Sequence, residues 1–287
     1  MKQVTLVDYE ARIQKVLLYI RNNLYEDLSL KTLSSIACFS EYHFHRVFRG
    51  MTGENIADHI RRLKMERAAW KLKLSNESVT DLAFEAGYDN VESFIRAFKT
   101  RYKAPPSLYR KKKNAVLPPK NAASALIKRK GAVIMIDAKI EKLDSRKVAF
   151  VRHTGPYAEC GKAWKTLCSW AWPKGLLKKA TLLGLSYDDP EITPSDKIRY
   201  DACVVVKGNI DPANGVALQE IPAGEYAVTV HTGPYEKLSR TYVQLCGEWL
   251  PKTGRKIKNQ PSIEVYLNDP ERTKPENLKV EIQVPLE

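Results

Sequence analysis

Two arginines and one glutamate stand where their neighbours could turn them to chemistry. Arg46 lies midway in Phe44-x-Arg46-x-Phe48, and the pattern returns fifty residues later as Phe94-x-Arg96-x-Phe98. Phenylalanines four apart share one helical face, so each pair packs inward and the arginine between them points elsewhere. An exposed guanidinium on a helix can donate two parallel hydrogen bonds to a base edge, or pair with a phosphate. The glutamate is Glu264, in the middle of Ser262-Ile263-Glu264-Val265-Tyr266. Strand alternation sends Ile263 and Val265 to one face and Glu264 and Tyr266 to the other. A carboxylate among aromatic rings attracts cations and hydrogen-bond donors.

The arginines need helices to carry them. Around each Phe pair the sequence predicts a short helix (31–38; 79–86), a tight turn and a second helix (41–50; 91–101). Ala37-Cys38-Phe39-Ser40 in the first turn matches Ala86-Gly87-Tyr88-Asp89-Asn90 in the second, which is one residue longer. Ser29, Ser40, Ser78 and Asn90 precede helical stretches as capping residues, and Asp81 follows Ser78 by three. Such pairs read as two helix-turn-helix units. Between them, 55–74 holds Ile56, Ile60, Leu63 and Trp70 at helical spacing without Gly or Pro. Twenty residues of helix span roughly 30 Å, close to the ~34 Å between successive major grooves on one face of duplex DNA. One chain could therefore hold two readers a helical turn apart, as a monomer. Upstream, Ile13, Val16, Leu17, Ile20 and Leu24 form another apolar helical stripe.

Composition agrees. The 287 residues favour two domains over one, and the formal net charge of +14 favours a polyanionic partner. Every charged residue from Ser93 to Ile136 is Lys or Arg. Lys99, Lys103 and Arg110 are expected beside phosphates, and 114–132 is read as a basic linker. No stretch is apolar enough to cross a membrane, no signal peptide is evident, and the five cysteines form no CxxC pair. A reducing cytoplasm is expected. His43 and His45 point about 200° apart on a helix, which argues against a shared metal.

Past the linker the texture changes to short runs rich in Val, Ile and Tyr: 132–136, 148–151, 203–206, 226–230 and 263–266. Helices are expected at 159–172 and 236–250. The segment is duplicated. His153-Thr154-Gly155-Pro156-Tyr157 recurs as His231-Thr232-Gly233-Pro234-Tyr235, Leu167-Cys168 as Leu245-Cys246, and Asp189-Pro190-Glu191 as Asp269-Pro270-Glu271. Each copy reads strand, Gly-Pro turn, helix, strand, Asp-Pro turn, strand. Two copies about a pseudo-twofold axis would leave a cleft, a common place for small ligands. Because the whole pentapeptide repeats, its histidines are expected to shape turns rather than to catalyse. Glu264 does not repeat: its counterpart is Gly184. The fold class is thus multidomain, an all-α N-terminal domain (1–113) followed by an α+β domain (133–287).

At these residues the chain resembles two families. Ala83-Phe84-Glu85-Ala86-Gly87-Tyr88, Ser93-Phe94-Ile95-Arg96-Ala97-Phe98-Lys99 and Pro106-Ser107-x-Tyr109-Arg110 resemble the AraC/XylS family of bacterial transcription regulators. That resemblance places base-facing residues at Tyr42, His45 and Arg46, and at Val91, Glu92, Ser93 and Arg96. His45 departs from the more usual Gln or Arg, and Val91 cannot donate a hydrogen bond. The two His-Thr-Gly-Pro-Tyr turns, Trp249-Leu250 and Glu264-Val265-Tyr266-Leu267-Asn268-Asp269-Pro270 resemble the GyrI-like effector-binding domains. That likeness makes Glu264 the cleft glutamate and implies aromatic companions at Tyr200, Tyr226, Trp249 and Tyr266. The order of the two domains resembles Rob-type regulators. It implies a DNA-binding regulator, an activator working with RNA polymerase and tuned by a cationic or amphipathic effector.

No nucleophile–base signature, zinc spacing or phosphate-cradling glycine loop occurs, so no cofactor, metal or enzymatic role is expected. The alternatives are a hydrolase using Glu264 with a cleft tyrosine, as some GyrI-like relatives do, and a protein-binding inhibitor of a topoisomerase. The basic charge makes one measurable demand. Affinity for duplex DNA, followed by fluorescence anisotropy, should fall at least 100-fold between 50 and 200 mM salt, on the order expected for a protein that displaces several phosphate counterions; a flat dependence would refute the DNA reading.

Overall fold

The computed structural model describes residues 2–111, 136–178, 180–190, 193–208 and 210–287. The linker expected at 114–132 lies outside them. The chain divides into a helical unit (Asp8–Glu41 and Phe48–Gly131) and a sheet unit (Ala132–Glu287 with Met1–Val7 and Tyr42–Val47).

The helices are α1 (Lys2–Asn22), α2 (Leu30–Ile36), α3 (Glu41–Thr52), α4 (Ile56–Leu74), α5 (Val79–Glu85), α6 (Val91–Tyr102) and α7 (Pro106–Lys111). Local chemistry sets their starts. Ser29, Asn55, Ser78 and Asn90 each accept a hydrogen bond from a backbone N–H three residues on, meeting one of the donors that a helix start leaves unpaired. The apolar stripe of α1 is buried as expected, from Ile13 to Leu24, and so are both Phe pairs. Gly87 turns the chain between α5 and α6 at φ +82, and Cys38 makes the matching turn between α2 and α3 at φ 54. A side chain in that left-handed region costs energy that glycine avoids. Arg12 donates to the Cys38 carbonyl at 3.1 Å and braces the turn.

The connector is the 19-residue α4, about 28 Å long at 1.5 Å per residue. Its C-terminal half carries the second helix-turn-helix. Met65, Ala68, Ala69 and Leu72 pack with Leu82, Ala83, Phe94, Phe98 and Tyr109 in one core. Ion pairs lock the edges: Lys71 with Glu85 at 2.6 Å, and Arg101 of α6 with Glu66 at 2.8 Å. At the other end of α4, Glu54 accepts from His59 at 2.7 Å and from Arg62 at 2.8 and 3.2 Å. Burial alone would raise the Glu54 pKa, but the hydrogen bonds from His59 and Arg62 outweigh it and bring it down to about 2.

The sheet unit is one antiparallel sheet of eight strands: β1 (Ala138–Leu143), β2 (Arg146–Thr154), β3 (Leu182–Ser186), β4 (Arg199–Val205), β5 (Ala217–Ile221), β6 (Gly224–Thr232), β7 (Ser262–Tyr266) and β8 (Lys279–Pro285). Their order is β1-β6-β8-β7-β3-β4-β2-β5. The duplication is visible in it: β3 and β7 are equivalent strands and meet at the centre, with Gly184 paired to Glu264. The edges are exchanged, since β1 of the first copy pairs with β6 of the second and β5 of the second pairs with β2 of the first. Neither edge strand was anticipated. Ala-Lys-Ile-Glu-Lys-Leu breaks its alternation at Glu-Lys and Ala-Leu-Gln-Glu-Ile does not alternate, so neither carries a clear strand pattern. The strand expected at 132–136 lies outside the described residues except for Ile136, which carries no strand; β1 begins at Ala138.

One sheet face packs on α8 (Gly161–Ala171) through Leu167, Trp170, Tyr200, Ala202 and Val204; the other gathers Leu183, Leu185, Cys203, Tyr226, Ile263 and Val265. In the second copy the helix is α9 (Leu238–Val243), which continues through Gln244–Trp249 with π geometry. The repeated histidines close their turns, as expected: His153 donates to the Pro156 carbonyl at 2.9 Å and His231 to the Pro234 carbonyl at 3.2 Å.

At the central seam Tyr200 lies across Gly184. A Cβ there would stand 2.7 Å from the Tyr200 ring Cζ, and Tyr200 is almost fully buried. Gly184→Ala should therefore cost about 1–3 kcal/mol through overpacking, read as a lower denaturant midpoint; a parent-like midpoint would show that the ring moves aside freely. In the helical unit, Glu54→Gln should cost about 1–3 kcal/mol at neutral pH. Because the folded pKa is depressed, that contribution is present above the unperturbed value of 4.5 and is lost as pH falls toward 2. Melting curves of variant and parent should differ at pH 7 and converge in acid.

Candidate functional site

A cavity of 630 Å³ opens in the sheet unit. Turns, helices and strands each bring a side chain to it. Tyr157 and Tyr235 follow the two Gly-Pro turns, on 3-10 segments (Tyr157–Glu159 and Tyr235–Lys237). Tyr242 comes from α9, Ser186 from the end of β3, Tyr200 from β4, and Glu264 and Tyr266 from β7.

Glu264 is 7% exposed. Ser186 and Tyr242 donate to its Oε1 at 2.8 and 3.0 Å, and Tyr266 donates to Oε2 at 3.3 Å. Tyr266 also shares a 2.7 Å hydrogen bond with Tyr200. Trp164 and Tyr235 set their rings edge-on to Tyr266 at 5.5 and 5.7 Å. Burial, then the charge of Glu264, hold the Tyr242 hydroxyl well above its ordinary pKa. Burial does most of the same at Tyr200 and Tyr266. The tyrosines therefore remain neutral donors at pH 7, and Glu264 supplies the negative charge of this end of the cleft. Three hydroxyl donors orient it without neutralising it, which leaves its attraction for a cation intact. Among the described residues no group of His, Cys, Asp or Glu is arranged to hold a metal ion.

Of the residues expected around the effector, Glu264, Tyr266 and Tyr200 come together. Tyr226 does not: it packs on the opposite sheet face with Val228, Leu183 and Ile263, and its hydroxyl donates to the Pro222 carbonyl at 2.8 Å. Its alternation was readable but its register against the sheet was not. Trp249 is also corrected: it is half-buried and does not line the cleft. Seven residues past Tyr242, an α-helix would return it to the same face; the π geometry of Gln244–Trp249 turns it away. Tyr157, Ser186, Tyr235, Tyr242 and Asp189 were not anticipated. A signal existed for three of them, since Tyr157 and Tyr235 end the repeated pentapeptides and Asp189 opens the repeated Asp-Pro-Glu.

The residues expected to face DNA divide. Glu92, Arg96, Lys99 and Lys103 are exposed; the first three follow the spacing of one face of α6, and Lys103 caps its C-terminal end with a left-handed backbone, φ 56. Arg96 donates to Ser93, which is half-buried, at 3.2 Å. Val91 packs partly against the core of α4, α5 and α6. Arg110 is corrected as a phosphate neighbour: its guanidinium donates to the Glu77 carbonyl and closes α7 onto the chain before α5. In the first helix-turn-helix, the expectation of an exposed Arg46 is corrected too. Tyr42–Val47 belongs to the sheet unit, and Arg46 lines its cavity at 5% exposure. Its Nη1 donates to the Tyr42 hydroxyl at 2.6 Å, its Nε lies 3.5 Å from Asp189, and its Cζ sits 3.5 Å from the centre of the Tyr242 ring. His45 meets the same Asp189 oxygen at 3.2 Å. Burial works against the Arg46 charge, but Tyr42 and Asp189 outweigh it and hold the group protonated. Burial and the neighbouring Arg46 push His43 down to about 3, so it is neutral at pH 7.

Comparison with known proteins gives the two parts separate relatives. Residues 137–287 match the GyrI-like small molecule binding domain, and residues 33–112 match a helix-turn-helix domain. The uncharacterized HTH-type transcriptional regulator YbfP of Bacillus subtilis (strain 168) is 33% identical over 102 residues, 36% of this chain and 35% of its own length. The multiple antibiotic resistance protein MarA of Salmonella typhimurium (strain LT2) is 37% identical over 98 residues, 34% of this chain and 77% of its own. The chain thus spans about a third of YbfP but most of MarA. The crystal structure of the EcmrR C-terminal domain is 20% identical, covers 54% of this chain and 99% of that one, and has a TM-score of 0.46. With more than half of its residues in the first match and the helices of an AraC-type domain in the second, the chain belongs to the GyrI-like family and carries an AraC-type helix-turn-helix domain ahead of it.

Proposed function

We propose that this chain is a sequence-specific DNA-binding transcription regulator whose cleft binds a small cationic or amphipathic effector. One observation carries the effector half: a buried carboxylate, Glu264, ringed by hydroxyls and aromatic faces in a 630 Å³ cavity. Desolvated aromatic faces and one fixed negative charge favour a bulky, weakly hydrated cation over a small hydrated one. Exposed Glu92, Arg96 and Lys99 along α6, with Lys103 at its C-terminal cap, support the DNA half, with the lysines at phosphates and Arg96 at a base edge. The 19-residue α4 suits a monomer reaching two grooves. Activation through RNA polymerase and a cytoplasmic location complete the reading; among the described residues no helix is long and apolar enough to cross a membrane.

A second reading has one observation in its favour. The Tyr242 hydroxyl donates to Glu264 at 3.0 Å, so a carboxylate and a phenol are paired in a cleft, as general acid–base hydrolysis would require. Two experiments address these readings. Titrating the full chain with tetraphenylphosphonium in a calorimeter should show binding that Glu264→Gln weakens at least 10-fold. Binding unchanged by that substitution would remove Glu264 from effector recognition. Incubation with small esters and amides should return them intact; their hydrolysis, lost in Glu264→Gln, would make the chain an enzyme.

A further inference from the structure

The cleft holds two buried carboxylates beside the exposed Glu236, and the buried pair are served differently. Glu264 receives only neutral hydroxyl donors, whereas Asp189, 4% exposed, is met by the Arg46 guanidinium and by His45. Tyr242 joins the two places: its hydroxyl donates to Glu264, and its ring face carries Arg46 at 3.5 Å. The Tyr42 ring lies on the same guanidinium at 4.1 Å. A flat delocalised cation against aromatic faces, with a carboxylate beside it, is in an environment that suits guanidinium better than ammonium, because a guanidinium sheds water more readily and stacks.

We propose that Asp189 and the face of Tyr242 form a second cation subsite of the cleft, that it takes a planar amidinium or guanidinium group, and that Arg46 occupies it in the ligand-free chain. The proposal rests on the reading of the cleft as an effector site and adds to it the ligand class and the internal competitor. Its reasoning is one of charge balance. Moving Arg46 out would take the guanidinium from a buried carboxylate that keeps His45 beside it, which is costly; a ligand cation that replaces Arg46 restores the balance. An effector with two cationic ends would span Glu264 and Asp189 through Tyr242. While it is bound, Arg46 is free for the base contact that its place in Phe44-x-Arg46-x-Phe48 suggests; while Arg46 is in the subsite, that contact is closed. A site filled for part of the time by an internal group binds its ligand with an affinity reduced by that occupancy.

The test uses the full chain and a bis-amidine probe, pentamidine, in calorimetry. Arg46→Ala and Arg46→Lys should each bind the probe at least 10-fold more tightly than the parent, because the competitor is gone or no longer stacks. Equal or weaker binding by both variants would overturn the second subsite. Should the variants fail to fold, the parent chain labelled with ¹⁵N at arginine Nε decides. Pentamidine should move one strongly shielded Nε–Hε resonance toward the shift of free arginine, and a spectrum without such a change would overturn the proposal. Failure of the underlying reading looks different. There, tetraphenylphosphonium binding is indifferent to Glu264→Gln, whereas failure of the subsite alone leaves that effect intact and the Arg46 variants unchanged.

Discussion

The pairing of β3 with β7 is the constraint on which the cleft depends. Duplication puts equivalent strands side by side, and antiparallel register then sets Gly184 directly across from Glu264. A symmetric pair would be two carboxylates or two glycines. Here one position carries charge and the other carries nothing, and the vacated space is filled by Tyr200, which reaches over Gly184 to hydrogen-bond Tyr266. The asymmetry is therefore cooperative: the glycine admits the tyrosine, the tyrosine aligns Tyr266, and Tyr266 orients Glu264. A buried charge is tolerated because Ser186, Tyr242 and Tyr266 donate to it.

The helical unit is organised by a different device. Helix α4 buries one side along its C-terminal half against the second helix-turn-helix and ties its edges with ion pairs to α5 and α6. Its other end is fixed by the Glu54, His59 and Arg62 group. The result keeps Glu92, Arg96 and Lys99 on one exposed row of α6 while Phe94 and Phe98 anchor the row beneath. Rigidity here serves recognition, since a base-reading side chain gains specificity only if its backbone is held.

Arg46 and Arg96 occupy equivalent places in a repeated pattern and have different surroundings. Arg96 is exposed, whereas Arg46 lies among Tyr42, Tyr242 and Asp189. An amphipathic pattern tells which side of a helix is apolar, and both patterns were read correctly in that respect: all four phenylalanines are buried. It is silent on what the polar side meets, because a guanidinium is equally at home in water, on a phosphate or between aromatic faces beside a carboxylate.

Sequence alone determined the duplicated domain, the two helix-turn-helix units, the capped helix starts, the inward Phe pairs and the singular position of Glu264 opposite Gly184. All of these follow from local periodicity or from repetition, which need no knowledge of distant neighbours. Tertiary structure alone decided which aromatics surround Glu264, the exchange of edge strands β1 and β5, the turning away of Trp249 and the burial of Arg46. Those depend on register and on long-range packing, where a shift of one residue along a strand or one extra residue in a helical turn moves a side chain to another face. Tyr226 shows the difference most plainly. Its strand was foreseen, its face was not, and only the pairing with β8 sends it away from the cleft.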